Sequence, residues 1–111
     1  MLLNIRLYHW STTSYSRHTA SGALYDLLST LIDTFIETYM GRYKRPEFQE
    51  EFDVEVKQFN DSTIINAFKE YSDFLKYILP KYLKDSDTDL YNIRDSILGE
   101  INKTMYLFTL Q

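Results

Sequence analysis

The chain has 111 residues, the length of one small domain, and 44% of them are hydrophobic, which is enough to bury one core. It contains no cysteine, so disulfides, zinc–thiolate sites and iron–sulfur clusters are excluded. With 16 acidic and 12 basic residues the net charge is −4, and no basic patch stands out, which disfavours direct binding to nucleic acid.

The apolar residues form no membrane span and no signal peptide. No stretch approaches the roughly 18 uninterrupted apolar residues that a span needs, and the first residues lack a cationic start and a cleavage site. We therefore expect no membrane partner and a cytoplasmic location. Only three glycines and two prolines occur, which favours long helices over a turn-rich β fold.

Apolar periodicity predicts a short first helix over residues 2–10, with Leu3, Leu7 and Trp10 at helical spacing. A second, long helix runs from about Arg17 to Met40 and stops at Gly41, a natural C-terminal cap. Its apolar stripe consists of Ala20, Leu24, Leu27, Leu28, Leu31, Phe35 and Tyr39. The spacing of this stripe is that of a helix with one face in a core.

A long connector follows, in which Phe52, Val54 and Val56 alternate with acidic residues; a short strand or a helical turn are both open there. The third helix opens at Asp61 or Ser62, and Pro80 kinks its last turn. Its inward stripe is Ile64, Phe68, Tyr71, Leu75, Ile78 and Tyr82. The fourth helix covers about 88–110 and faces inward with Leu90, Ile93, Ile97, Ile101, Met105 and Phe108.

These elements predict an all-α fold, a four-helix bundle formed by one domain over residues 1–111. The first helix would span only about 14 Å and the second about 36 Å. Roughly half of the groove between the other helices therefore lacks a fourth wall, and the connector or another chain must cover it. Five aromatic residues are expected in the core: Trp10, Phe35, Phe68, Phe74 and Phe108.

One face of the second helix carries His18, Asp26, Asp33 and Glu37, opposite the leucine stripe. A solvated face is the ordinary reading of this pattern. The alternative is a metal site, because Asp33 and Glu37 lie one turn apart and can bind one ion. His18 lies about 22 Å from Asp33 along the axis, so its imidazole must come from an antiparallel second copy. The two-fold axis of that dimer would pass near Asp26.

The sequence resembles the Dps family, the miniature ferritins of the ferritin-like superfamily. The resemblance rests on the pair His9-Trp10, on His18, and on Asp33 and Glu37 at the same interval from that histidine; the last helix is similar as well. It implies a ferritin-like bundle with a truncated first helix, and iron bound between two subunits with ferroxidase activity. His18, Asp33, Glu37 and His9 would be the metal ligands. The partner would be a second copy of the chain, in a dimer or a larger homo-oligomer.

Three departures from that family support an alternative. Gly22 stands where the family often has an aspartate, the loop between His9 and His18 is short, and the first helix is truncated. His9 would then hydrogen-bond a backbone carbonyl instead of reaching a metal. Short viral and phage proteins of this type resemble the chain more closely than typical members of the family do. The alternative function is a degenerate ferritin-like module without metal chemistry that serves assembly, in the host cytoplasm or a virion.

Overall fold

The computed structural model describes residues 1–48, 50–51 and 53–110. In these ranges the chain forms four α-helices and no strand: α1 (Leu2–Ser11), α2 (Tyr15–Arg42), α3 (Ile64–Asp73) and α4 (Thr88–Leu107). A π-helical turn, Phe74–Ile78, and a 3-10 turn, Leu79–Tyr82, continue α3. The all-α prediction is therefore confirmed for the described residues. None of their helices has both the length and the hydropathy that crossing a membrane requires.

Helix α2 sets the length of the molecule. Its 28 residues span about 42 Å, which matches the longest dimension of 43 Å. Ser14 caps its first turn, because the Ser14 Oγ accepts a hydrogen bond from the Arg17 N–H. The predicted stop at Gly41 is wrong, since the helix continues through that glycine to Arg42. Side-chain contacts from Arg42 to α4 hold this last turn in place.

The core lies where α2 and α4 face each other, closed by α1 on one side and α3 on the other. Leu24 and Leu28 of α2 are fully buried against it, as are Phe68 of α3 and Ile101 of α4. The inward stripe of α4 is confirmed as predicted, with all six residues buried or half-buried. Leu27 is the exception on α2, because 43% of its surface is exposed.

Helix α1 is rotated away from the orientation that its large apolar residues suggest. Ile5 and Tyr8 are buried, whereas Leu3 is 49% exposed and Trp10 is 67% exposed. The prediction of a core Trp10 is therefore wrong. The buried face also carries Asn4, whose side chain donates to the Tyr71 hydroxyl and accepts from the backbone of the connector. Because buried polar groups must be paired, these partners fix which face of α1 turns inward.

The π turn changes the register of the helix that begins at α3. In a π register the carbonyl of Leu75 would accept from residue 80, but Pro80 has no N–H. The Arg94 guanidinium donates to that carbonyl instead, at 3.2 Å. The wider turn rotates the residues after it, so the predicted inward positions of Ile78 and Tyr82 are wrong and both are exposed.

The prediction of a core Phe74 is also wrong, because this first residue of the π turn is 47% exposed. Phe68 and Phe108 lie in the core as predicted, and Phe35 is half-buried. The kink that Pro80 predicts is present as the change from π to 3-10 geometry.

Asp87 joins the start of α4 to the end of α2. Its buried carboxylate accepts from the Lys84 N–H and from the Tyr43 hydroxyl, and Arg42 lies 3.3 Å away. Arg42 also bonds Asp89 at 2.8 Å. The backbone N–H of Lys84 and the Tyr43 hydroxyl lower the pKa of Asp87. Asp87 occupies the N-cap position of α4, but its side chain makes no capping hydrogen bond.

The connector runs along α1 without forming a helix or strand of its own among its described residues. The Lys57 N–H donates to Asn4, and the Gln58 side chain donates to Ser11. Phe52, part of the predicted alternation, lies outside the described residues. Asn60 organises the entry to α3 by accepting from the N–H groups of Ser62 and Thr63, in the place predicted for Asp61.

Candidate metal centre

The two histidines of the chain lie against each other where α1 ends and α2 begins. Their rings are stacked, with centroids 3.9 Å apart and planes 16° apart. The Nδ1 of His9 donates to the carbonyl of His18 at 2.6 Å, and the Nδ1 of His18 donates to the carbonyl of His9 at 2.9 Å. His9 is half-buried and His18 is exposed.

These reciprocal hydrogen bonds fix the tautomer of both rings. A backbone carbonyl can only accept, so each Nδ1 carries a hydrogen. In the neutral form, the lone pair of each ring is then on Nε2. A histidine whose Nδ1–H donates to a carbonyl is the usual form of a metal-ligating histidine. The hydrogen bond predicted as the alternative for His9 is present, and it leaves the other nitrogen available.

Gly22, which has no Cβ, leaves the space on α2 that the His9 ring occupies. A Cβ atom at this position would lie 2.8 Å from Cε1 and 3.2 Å from Nδ1 of His9, which is closer than real contacts allow. The Ser21 hydroxyl lies 3.3 Å from the same Nδ1 and also bonds the carbonyl of His18. The glycine that replaces the expected aspartate therefore has a steric explanation: it lets α1 approach α2 at the histidines.

A network of part-buried and exposed hydrogen bonds joins the two helix ends that carry the histidines to Asp61, just before α3. The Tyr8 hydroxyl donates to Asp61 at 2.6 Å, and Thr12 donates to the same carboxylate oxygen at 2.9 Å. Arg17 bonds the Tyr8 hydroxyl and the carbonyl of Asp61. Burial raises the pKa of Tyr8, and the hydrogen bond from Tyr8 lowers the pKa of Asp61. Sequence reasoning missed Tyr8 and Asp61, because they are 53 residues apart.

Asp33 and Glu37 lie one turn apart and exposed on α2. Neither has a salt bridge or a side-chain hydrogen bond to any residue in the described ranges. Asp33 lines a shallow depression of about 440 Å³, whose other walls include Leu2, Ile32 and Ile36. Both carboxylates are therefore accessible to an incoming group.

The surface of α2 between the histidines and these carboxylates contains an ion pair and an apolar residue. Asp26 lies 3.7 Å from Arg6 of α1, and the Arg6 guanidinium lies over the Tyr25 ring at the same distance. Leu27, next to them, is exposed. By helix geometry Leu27 lies about 180° around α2 from His18, so it belongs to the leucine stripe and not to the face of the predicted ligands.

Within a single copy, the described residues contain no group of three or more histidine and carboxylate side chains close enough to hold a metal ion. The structure brings together His9 with His18, and Asp33 with Glu37, but keeps the two pairs apart along α2. This separation was expected, because 15 residues of helix span about 22 Å. One copy therefore has two separate pairs of predicted ligands, one with imidazole nitrogens and one with carboxylate oxygens.

Comparison with known proteins gives one match. The model of a family of unknown function, DUF5856, matches residues 9–108, a range that begins at His9 and includes all four predicted ligands. No curated protein and no solved structure matches the chain.

Proposed function

The chain belongs to the DUF5856 family, and on that premise we propose that it binds iron at a site shared by two copies. His18, with His9 behind it, would come from one copy, and Asp33 and Glu37 from the other. The observation that carries this proposal is the orientation of the histidines: each Nδ1 donates to a carbonyl, so each Nε2 has the free lone pair.

A two-fold axis near Asp26 would complete two equal sites. An antiparallel partner helix centred there would bring its residue 18 to the level of residue 33 or 34, since 18 and 34 are equidistant from 26. The depression beside Asp33 supports this register, because it offers room for an imidazole. A closed two-fold dimer repeats each contact twice, so one register forms both sites.

Two carboxylates and one or two imidazoles are a donor set for ferrous iron, and also for zinc or manganese. Such a set leaves coordination positions open on the ion. Ferrous iron would be the substrate, oxidised to the ferric state while dioxygen or peroxide is reduced. Glu37 is the residue suited to bridge two ions, with Asp33 and His18 as terminal ligands. This is the Dps-like arrangement that the sequence resembles.

The test is ferrous iron oxidation under air, followed by absorbance, for the wild type, His18→Ala and Asp33→Ala. Asp53→Ala, an exposed carboxylate on the connector, is the control. We expect both ligand variants to lose activity and the control to keep it. Equal traces for all four proteins would refute iron oxidation at these residues.

Mixing the two inactive variants tests the sharing of the site. In a mixed dimer, one site lacks both residues and the other has both. Since about half of the dimers in an equal mixture are mixed, activity should return to about a quarter of the wild-type value. No recovery, or a strictly monomeric mass in solution, would contradict a shared site.

A second candidate is a structural or assembly module of the same fold without metal chemistry, in the cytoplasm or in a virion. The observation that favours it is that the histidine pair already has a complete structural role, since it fastens α1 to α2 through two hydrogen bonds and a stack. This candidate predicts equal oxidation by all variants, but a loss of folding stability in His9→Ala.

A further inference from the structure

The far side of the molecule from the histidines has an apolar pocket that the iron proposal does not use. It has a volume of about 420 Å³, within the range of about 300 to 1,000 Å³ typical of ligand pockets. Its walls come from α2, α3, the π turn and α4, and Met1 closes one end: Met1, Ile32, Phe35, Tyr71, Phe74, Leu75, Leu79 and Ile97. This is the uncovered groove that the short first helix predicts, and no described connector residue lines it.

The side chains that line the pocket favour hydrocarbon. None of them carries a charge, and the only hydroxyl among them, that of Tyr71, accepts a hydrogen bond from Asn4 at 3.1 Å. Met1 also brings its amino group, and burial lowers the pKa of that group. Because a buried polar group without a partner is costly, the part of a ligand that lies against these side chains should be hydrocarbon.

The opening of the pocket indicates an amphiphile. Phe74 lines it and is also half-exposed, so one end of the pocket reaches solvent. A ligand with a hydrocarbon part inside can keep a polar head in water at this end. The pocket is also a long way from the histidines, since 14 residues of α2 between His18 and Ile32 span about 21 Å.

The wall of the pocket is built by an irregular turn that other residues maintain. Phe74 and Leu75 belong to the π turn, whose unpaired carbonyl at Leu75 is satisfied by Arg94. A π turn has poorer geometry than the α-helix it interrupts, and such turns recur at functional sites. Here the turn moves Phe74 to the rim while Leu75 stays buried.

We propose that this pocket binds the single alkyl chain of an amphiphile, with its polar head at the Phe74 rim. Both a free fatty alcohol or acid and a lipid of a bilayer have this chemistry. None of the proposed metal ligands lines the pocket, although Ile32 belongs both to the pocket and to the depression beside Asp33.

Decanol is the probe, titrated into the full-length protein labelled at isoleucine methyl groups and followed by NMR. We expect saturable shifts at the Ile32 and Ile97 methyls, and a higher melting temperature with decanol. Butanol should bind at least tenfold more weakly, because it buries less apolar area. Shifts spread evenly over the surface, or none, would refute the pocket as a binding site.

Ile32→Trp, which fills the pocket from a half-buried position, should weaken decanol binding at least tenfold. Ile65→Trp, at a half-buried isoleucine of α3 that lies outside both the pocket and the depression beside Asp33, is the matched control and should bind as the wild type does. Equal binding by both variants would overturn the proposal. So would a dimer that forms through this pocket and excludes decanol, because the occupant would then be a second copy.

Sedimentation with phosphatidylcholine vesicles distinguishes a bilayer lipid from a free amphiphile as the source of the bound alkyl chain. Cosedimentation that Ile32→Trp abolishes would support the pocket with a bilayer lipid as its ligand. Decanol binding without cosedimentation would support it with a free amphiphile.

Discussion

The two ends of α2 are fastened to the rest of the chain by different chemistry. At the first end, stacked histidines, a close approach at Gly22 and the buried hydroxyl of Tyr8 hold α1 against α2. At the last end, Arg42 bridges two aspartates at the start of α4. One joint depends on shape and short hydrogen bonds, and the other depends on charge.

This difference gives the two ends different sensitivities. Packed and hydrogen-bonded contacts respond to changes in side-chain volume but little to salt. Contacts between charges near the surface weaken with salt and with protonation of the carboxylate. The first end also depends on the Asp61 carboxylate, so protonation weakens contacts at both ends, whereas salt acts mainly on the Arg42 ion pairs.

Removing the Tyr8 side chain should have the largest effect. Tyr8→Ala should lower the free energy of unfolding by about 3–5 kcal/mol, since this ring is fully buried. Tyr8→Phe keeps the ring and should cost about 1 kcal/mol for the lost hydrogen bond to Asp61. Urea unfolding measures both. A similar loss for both variants would show that the hydroxyl, rather than ring packing, holds this end.

Gly22→Ala should displace His9. Alanine in a helix interior normally adds about 1 kcal/mol of stability over glycine, but the new Cβ would clash with the imidazole. We expect Gly22→Ala to lower stability by about 1 kcal/mol through overpacking.

The control for this substitution is Gly99→Ala in α4, where a Cβ meets no atom within 4 Å; it should raise stability by about 1 kcal/mol. Thermal unfolding of both variants gives the comparison. Stabilisation by both would show that His9 does not depend on the glycine.

Asp87→Asn should change the pH dependence of stability at the other end. The pKa of Asp87 in the folded protein is lowered from its ordinary value of 3.8. Its contribution is therefore complete above that value and is lost as the pH falls through the lowered folded-state pKa.

Acid unfolding followed by circular dichroism should show a shallower loss of stability below pH 4 for Asp87→Asn than for the wild type. Asp85→Asn, an exposed carboxylate two residues away, is the control and should follow the wild-type curve. Identical curves for all three proteins would remove Asp87 as the source of this dependence.

Arg42→Met should have the smallest effect, under about 1 kcal/mol, because this ion pair is partly exposed. The loss should be smaller still at high salt. Unfolding in urea at low and high salt measures it. A salt-independent loss would assign the role of Arg42 to packing of its stem.

The sequence predicted the helices well where one residue type dominates a face. The inward stripe of α4 and most of that of α2 are confirmed. Leucine and isoleucine at helical spacing form one apolar face, and only one orientation of the helix buries that face. Predictions failed where a polar or backbone partner decided the outcome. Trp10 is exposed because Asn4 and Tyr8 take the inner face of α1, and Ile78 is exposed because the π turn rotates it.

For the candidate site, the spacing of Asp33 and Glu37 and their distance from His18 followed from helix geometry alone. The contact between the two histidines could not be predicted in this way, since the length of the loop between them allowed the rings to lie together or apart.

The helical character of this chain, and the apolar faces of its long helices, follow from the residue pattern, because periodicity is a local property. Packing between helices settles which face of the short α1 is buried, places His9 against Gly22, and leaves a pocket beside the π turn. Each of these depends on partners distant in sequence, and a polar atom or a Cβ meets such a partner only after the helices have packed.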